Sequence, residues 1–272
     1  MEAIKKVGIV TGGASGIGKA LCKELLNRQV YIVIADLNAE EGYRTVAELE
    51  SLGGECRFVQ VNVSDGPAVG ELVNGIYREF GRLDYMFNNA GIAMYGEIGD
   101  MTQQNWHRIL DVNLWGIIHG VQAAYPLMKE QGFGYIANTA SAAGLGPAPG
   151  SGAYSASKHA VVGLTTSLHY EAEAYGVNVS CLCPAFVDTP IFASGEAIHM
   201  DKRIVLAQVK KQKLMAPGHF AALACTGVER NEVLVNPMPL RRTMDIVFTL
   251  FPFLHRKVMR LVCRTTREAR LG

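Results

Sequence analysis

Short unbroken runs of apolar residues recur along the first 240 residues, at 6–11, 30–35, 56–61, 83–87, 134–139, 177–183 and 233–236. In the early runs the apolar residues are consecutive rather than alternating. That is the pattern of strands buried on both faces of a parallel sheet. Between them, 19–27, 40–52, 68–80, 103–131 and 152–175 read as helices. Strand and helix alternate with no repeat, low-complexity segment or linker, so the expectation is a single α/β domain. Asn113 falls in the middle of the longest helical stretch, where its amide competes for backbone groups. A kink or a bound water is expected there rather than a regular turn.

Composition changes this picture in one place. The whole chain carries 26 Lys/Arg and 25 Asp/Glu, a net charge of +1, which argues against nucleic acid as a partner. The balance is uneven, however. Residues 241–272 hold 8 basic and 2 acidic residues (+6), and the preceding 240 hold 18 and 23 (−5). The chain therefore divides into a body, 1–240, and a basic, apolar C-terminal extension, 241–272. Six cysteines show no Cys-x-x-Cys spacing, and the seven histidines show no metal-ligand spacing, so no metal is expected. Cys181 and Cys183 share one face of a strand and read as buried thiols in a reducing compartment. The first strand starts almost at the N-terminus, and no apolar run approaches the ~18 residues of a spanning helix. A cytoplasmic protein is expected.

The candidate chemistry lies in the turns. Thr11-Gly-Gly-Ala-Ser-Gly-Ile-Gly18 joins a strand to a helix. Such a turn lets the backbone approach a pyrophosphate at the helix N-terminus. The second strand ends on Asp36, followed by Leu37 with no adjacent base. A carboxylate there would hold a ribose diol and repel a 2′-phosphate. It could equally cap the helix at 40–52. Asn88-Asn-Ala-Gly91 closes the fourth strand and suits contact with a flat ring, or a plain turn. Tyr154 and Lys158 stand four residues apart on one helix face. An ammonium beside a phenol favours the phenolate and would lower its pKa. Tyr125 and Lys129 repeat that spacing, but Pro126 follows and no polar loop precedes them.

Together these residues resemble the short-chain dehydrogenase/reductase family. Four motifs occur in the family's order: the glycine-rich turn at 11–18, Asn-Asn-Ala-Gly at 88–91, Ser141, and Tyr-x-x-x-Lys at 154–158. The likeness runs from residue 5 to about 190, and more loosely to 237. It implies a Rossmann-type, doubly wound parallel sheet of about seven strands with helices on both faces, and a nicotinamide cofactor, here NAD. It assigns catalysis to Asn113, Ser141, Tyr154 and Lys158: Tyr154 as general acid/base, Lys158 on the ribose and depressing the tyrosine pKa, Ser141 on the substrate oxygen, Asn113 on a relay water. The cofactor would be held by Gly12, Ser15, Gly16, Ile17, Gly18, Asp36, Leu37, Asn62, Val63, Asn89, Ala90, Gly91, Tyr154, Lys158, Pro184, Val187 and Thr189. In such proteins the helices corresponding to 103–131 and 152–175 pack across a two-fold axis, so a homodimer or homotetramer is expected. Two departures stand out. Ala185 follows Pro184 where glycine is usual, and the short Asp-Gly-Gly ending is replaced by Pro237-Met-Pro239 and the basic tail.

The expected activity is reversible hydride transfer between a secondary alcohol or ketone and NAD. An NADPH-dependent carbonyl reductase is the alternative, and a silent NAD-binding module a third. Residues 190–215 should form a lid over the substrate pocket, and Phe192, Ile198, Met200 and Val205 point to a lipophilic substrate. The lysines among them read as a solvated face. In the tail, 244–254 is mostly apolar, bases stand at 256, 257, 260 and 264, and Pro252 should break the helix. The tail could lie in a membrane interface. Packing over the pocket or a neighbouring subunit is the preferred reading.

Overall fold

The computed structural model describes residues 5–238 and 241–271. Residues 1–4, 239–240 and 272, with the side chains at 241, 242 and 245, lie outside the described residues. Among them are Pro239 and two of the tail's eight bases.

The elements follow in order β1 (Lys6–Thr11), α1 (Gly16–Asn27), β2 (Val30–Asp36), α2 (Ala39–Ser51), β3 (Cys56–Gln60), α3 (Gly66–Phe80) and β4 (Tyr85–Asn88). Next come a two-residue β5 (Met94–Tyr95), α4 (Gln103–Leu110), α5 (Gly116–Gln131), β6 (Gly134–Thr139), α6 (Gly152–Glu173) and β7 (Val177–Leu182). The chain continues through α7 (Ile191–Ser194), β8 (Glu196–Ala197), α8 (Lys202–Lys210), α9 (Pro217–Glu229), β9 (Leu234–Val235), α10 (Arg241–Leu250) and α11 (Pro252–Arg267).

Seven strands form one parallel sheet in the order β3-β2-β1-β4-β6-β7-β9. The order reverses between β1 and β4, the switch point at which open α/β sheets bind ligands. The apolar runs predict a parallel sheet buried on both faces, and the resemblance implies its doubly wound order; the sheet has both. Consecutive residues of β1 face opposite layers. Val7 and Ile9 pack with α3, α5 and α6 through Val69, Val73, Ile117 and Val161. Val10 packs with α1 and α9 through Leu21, Leu25, Ala221 and Ala224. Each such fully buried aliphatic side chain contributes about 1.5–3 kcal/mol, and both faces of the sheet are covered. Register at the start of β1 is fixed by Asp84, whose carboxylate accepts from the Val7 amide at 2.8 Å and pairs with Arg82.

Three features were not visible in the apolar pattern. The predicted helix over 103–131 is interrupted at Asp111–Trp115 by a π-helical turn centred on Asn113. Asn113 is fully buried, and its amide bonds the Ile92 backbone instead of its own helix: Oδ1 accepts from Ile92 N at 2.8 Å, and Nδ2 donates to Ile92 O at 3.0 Å. The second feature is a small parallel ladder, β5 with β8, which stitches the segment leaving β4 to the lid. The third is the docking of the tail. Pro252 stands at the first turn of α11, where its missing N–H costs nothing, and the chain breaks there as expected.

Candidate active site

The glycine-rich turn is built by close contact. At Gly12, with φ of +63°, an added Cβ would stand 2.8 Å from the Ala90 Cα. At Gly18 it would stand 1.9 Å from the Gly12 carbonyl oxygen. Gly18 is buried, packs the turn and does not line the cavity described below. Ser15 caps α1 with no side-chain hydrogen bond. The first-turn amides are therefore left to a ligand or solvent.

Asp36 does not cap α2. Asn38 does, accepting from the Glu41 amide at 3.1 Å. The Asp36 carboxylate is instead fixed by two backbone amides, Ala14 N on Oδ2 and Asn38 N on Oδ1, both at 3.0 Å. This ties the end of β2 to the glycine-rich turn and leaves the carboxylate facing the cavity, with Leu37, Asn62 and Val63 beside it. Across the switch point, the Thr11 hydroxyl accepts from Asn89 N at 2.9 Å and Ala90 N at 3.1 Å, and Asn89 Nδ2 donates to Thr11 O at 3.1 Å. The 88–91 motif thus clamps the ends of β1 and β4 together.

Ser141, Tyr154 and Lys158 converge on the same cavity, which has a volume of about 580 Å³. Ser141 stands with Tyr154 in the cavity wall and accepts from the Ala143 amide at 3.1 Å. Lys158 is buried, and its Nζ donates to the Thr139 carbonyl at 2.8 Å. Burial pushes the Tyr154 phenol above its ordinary value, opposed by the neighbouring Ser141 hydroxyl. Burial lowers Lys158 from 10.5 to about 8, opposed by Cys181 and Cys183, whose sulfurs lie 3.7 Å apart at the end of β7 and just beyond it. These directions correct the expectation from spacing. Nζ lies 5.8 Å from the Tyr154 ring centre, and within the chain Ser141, rather than Lys158, draws the phenol down.

Asn113 does not line the cavity. It lies behind Gly91, where an added Cβ would stand 3.2 Å from Asn113 Oδ1 and 3.4 Å from Lys158 Nζ. Every other expected site residue except Gly18 is in the cavity wall, including Gly12, Ser15, Gly16, Ile17, Asn89, Ala90, Gly91, Pro184, Val187 and Thr189. Tyr125 and Lys129 are not. Lys129 sits over the Tyr175 ring at 3.7 Å, on the surface.

The far end of the cavity is apolar. Met94, Tyr95, Phe186, Phe192, Met200 and Val205 line it, and Thr266 of α11 reaches it. Ile198 packs in a satellite core, and Ile204 is exposed. None of the lid bases enters: Lys210, Lys211 and Lys213 are exposed, and Arg203 pairs with Asp201. Tyr95 and Thr266 carry no local signal in the sequence, because contacts made about a hundred residues away bring them to the site. Among the described residues no three His, Cys, Asp or Glu side chains converge on a metal site, and no helix is long and apolar enough to cross a membrane.

The sequence model of the short chain dehydrogenases matches residues 6–197. The chain belongs to that family. A cyclohexanol dehydrogenase of Acinetobacter sp. (strain SE19) is 34% identical over 200 residues, 72% of this chain and 79% of that protein. A 3-oxoacyl-[acyl-carrier-protein] reductase of Thermotoga maritima is 33% identical over 186 residues, 68% and 76% of the two chains. Among solved structures, a short chain dehydrogenase/reductase from Burkholderia phymatum in complex with NAD superimposes with a TM-score of 0.84. It is 30% identical and covers 94% of this chain and 96% of that one. The short chain dehydrogenase match stops at residue 197, so most of the lid and all of α10 and α11 lie beyond it.

Proposed function

We propose that this oxidoreductase is NAD-linked and interconverts lipophilic secondary alcohols and ketones, with Tyr154 as general acid/base. One observation carries the reading. Ser141, Tyr154 and Lys158 lie together in the wall of a single cavity that runs to the glycine-rich turn and Asp36 at one end and to apolar residues at the other.

The nucleotide end fits a dinucleotide. Gly12 and Gly16, both at positive φ and both closely packed, against Ala90 and Thr189, bring the turn's backbone to the cavity, and the α1 amides suit a pyrophosphate. Asp36 would accept from the ribose diol. A 2′-phosphate would meet its charge, and Leu37 offers no base to offset that. Asn62 and Val63 would flank the adenine, Lys158 would hold the second ribose, and Pro184, Val187 and Thr189 would face the nicotinamide. When bound, the nicotinamide supplies the acceptor for the hydride that leaves the carbinol carbon.

The chain's own residues handle the proton. Ser141 Oγ orients the substrate oxygen, and Tyr154 Oη takes the hydroxyl proton as the C–O bond becomes a carbonyl. In reduction Tyr154 returns it. The work is positioning and proton transfer. The cyclohexanol dehydrogenase relative supports a cyclic secondary alcohol as the first substrate to try. Purified protein, NAD and a panel of secondary alcohols should give rising NADH absorbance. If no alcohol yields NADH while ketones consume NADPH, both the cofactor and the direction are wrong. A homodimer or homotetramer is part of this reading, and light scattering showing only monomer at micromolar concentration would contradict it.

A further inference from the structure

The tail is two-faced in its attachment. Its last turn is bolted to the body. Gln208 Nε2 donates to Thr265 O at 2.6 Å, Asp201 N donates to Ala269 O at 2.6 Å, and Leu271 N donates to His199 O at 3.0 Å. Arg267 and Arg270 pair with Glu97, and Arg270 also reaches Asp100. Thr266 lies at the rim of the cavity, with its methyl against Gly150. The other end, where α10 turns into α11, is uncovered. Leu250 is 67% exposed, Phe251 47% and Phe253 61%. Along α11, Leu254, Val258, Leu261 and Val262 recur at i, i+4, i+7 and i+8, form one stripe, and are all exposed. No residue of α11 is buried.

A stripe of this size on a single-chain surface marks a contact. Its chemistry is set by what flanks it. Lys257, Arg260 and Arg264 recur at i, i+3 and i+7 beside the stripe, and Arg256 is adjacent. None of the four has an ion pair among the described residues. A second protein would have to bring carboxylates into register with all four bases and an apolar surface to the stripe. An anionic lipid surface supplies both, with negative charge at any register and hydrocarbon beneath it. The body, net −5 over 1–240, would be repelled by that surface, so the +6 tail would set the orientation.

We propose that the α10–α11 hairpin seats on an anionic lipid surface, with Leu250, Phe251 and Phe253 inserted and the α11 bases at the headgroups. The cavity rim at Thr266 then stands beside the lipid, and a lipophilic alcohol partitioned there has a short path to Tyr154. Only this last point rests on the activity proposed above. The seating does not, and its test needs no turnover.

The test is flotation of the full chain with phosphatidylcholine vesicles, with and without phosphatidylglycerol. The wild type should float with anionic vesicles at low salt and be released as salt rises. Replacing Arg256, Lys257, Arg260 and Arg264 by Gln should lower partitioning about fivefold per base removed. Phe251→Ser with Phe253→Ser should lower it at low salt also. These side chains are exposed, and circular dichroism checks the fold of each variant. Wild-type protein that stays in the dense fraction with anionic vesicles at low salt overturns the proposal. So does a quadruple variant that floats as well as wild type. If the Phe variants instead change the mass by light scattering and no flotation occurs, the stripe is an interface between copies of this chain and the lipid assignment is wrong.

Discussion

Lys158 Nζ donates to the Thr139 carbonyl, 19 residues upstream at the end of β6, so the ammonium is moored to the sheet rather than to the phenol four residues before it. Mooring a buried ammonium is costly. Moving its pKa from 10.5 to about 8 corresponds to roughly 3 kcal/mol of lost stability at neutral pH. The unfolded chain holds the proton up to 10.5 and the folded chain only to about 8, so stability from this group rises with pH across that window. Lys158→Met should therefore raise the melting temperature at pH 7, by on the order of 5 °C after allowing for the lost hydrogen bond, while abolishing activity. The gain should shrink above pH 8. A variant less stable than wild type at pH 7 would show that the hydrogen bond outweighs the burial.

Tyr154→Phe keeps the ring in the cavity wall and removes the hydroxyl. Turnover should fall by at least the ~10²-fold typical of losing a general acid/base. NAD affinity, read by fluorescence titration, should change little. Near-normal turnover would remove Tyr154 from the mechanism.

Ser141 holds the Tyr154 phenol down against burial. Alcohol oxidation needs the phenolate and should rise with pH, and ketone reduction should fall. In Ser141→Ala the opposing hydroxyl is gone, so the rising limb should move to higher pH. The rate on the plateau should also fall by roughly 10², as on losing a donor to the substrate oxygen. A limb that stays in place or moves toward acid would mean that Ser141 has no hold on the phenol.

Asp36 is tested by paired titrations. Asp36→Ala should weaken NAD binding and relax discrimination against NADP. It also frees the Ala14 and Asn38 amides that Asp36 now satisfies, so some loss of stability should accompany it. Wild-type protein that already prefers NADP would overturn this reading.

The sheet was legible because its strands are buried on both faces and leave unbroken apolar runs, and because turns with chemistry end those runs. The clamp around Thr11, Asn89 and Ala90 was not read: the 88–91 stretch suggested ring contact or a plain turn, and its partner lies on a strand some 78 residues away. Asn113 was half legible. Its poor fit to a helix interior pointed to a disturbance, but not to the Ile92 backbone, 21 residues away in sequence, which the amide completes. The direction of the Tyr154 shift was misread, since spacing brings the ammonium and phenol near without saying how much each is desolvated. The inward face of α6 explains why. Ser155, Ser157, Lys158, Thr165 and His169 are all buried, so a helix of weak amphipathic pattern carries a polar core. Packing of the tail over the pocket was the preferred reading of the sequence, but the residue that reaches the cavity, Thr266, could not be picked out, because its place depends on the tail folding back across the lid.

The β5–β8 ladder restricts how the site can open. Glu196 N and Ile198 N donate to Ala93 O at 3.2 Å and Tyr95 O at 2.8 Å, so the root of the lid is woven into the segment that leaves β4. α8 and the end of the tail are joined to each other through Gln208–Thr265 and Asp201–Ala269 and to the body through the Arg267 and Arg270 pairs with Glu97, so they would move together. Product would then escape on one side, at a rate set by the parting of α8 and α11 from the body. Hydrogen exchange should find the amides of 196 and 198 slow and those of α8 fast, and cutting the Arg267 and Arg270 pairs to Glu97 should shorten product residence without altering the hydride step.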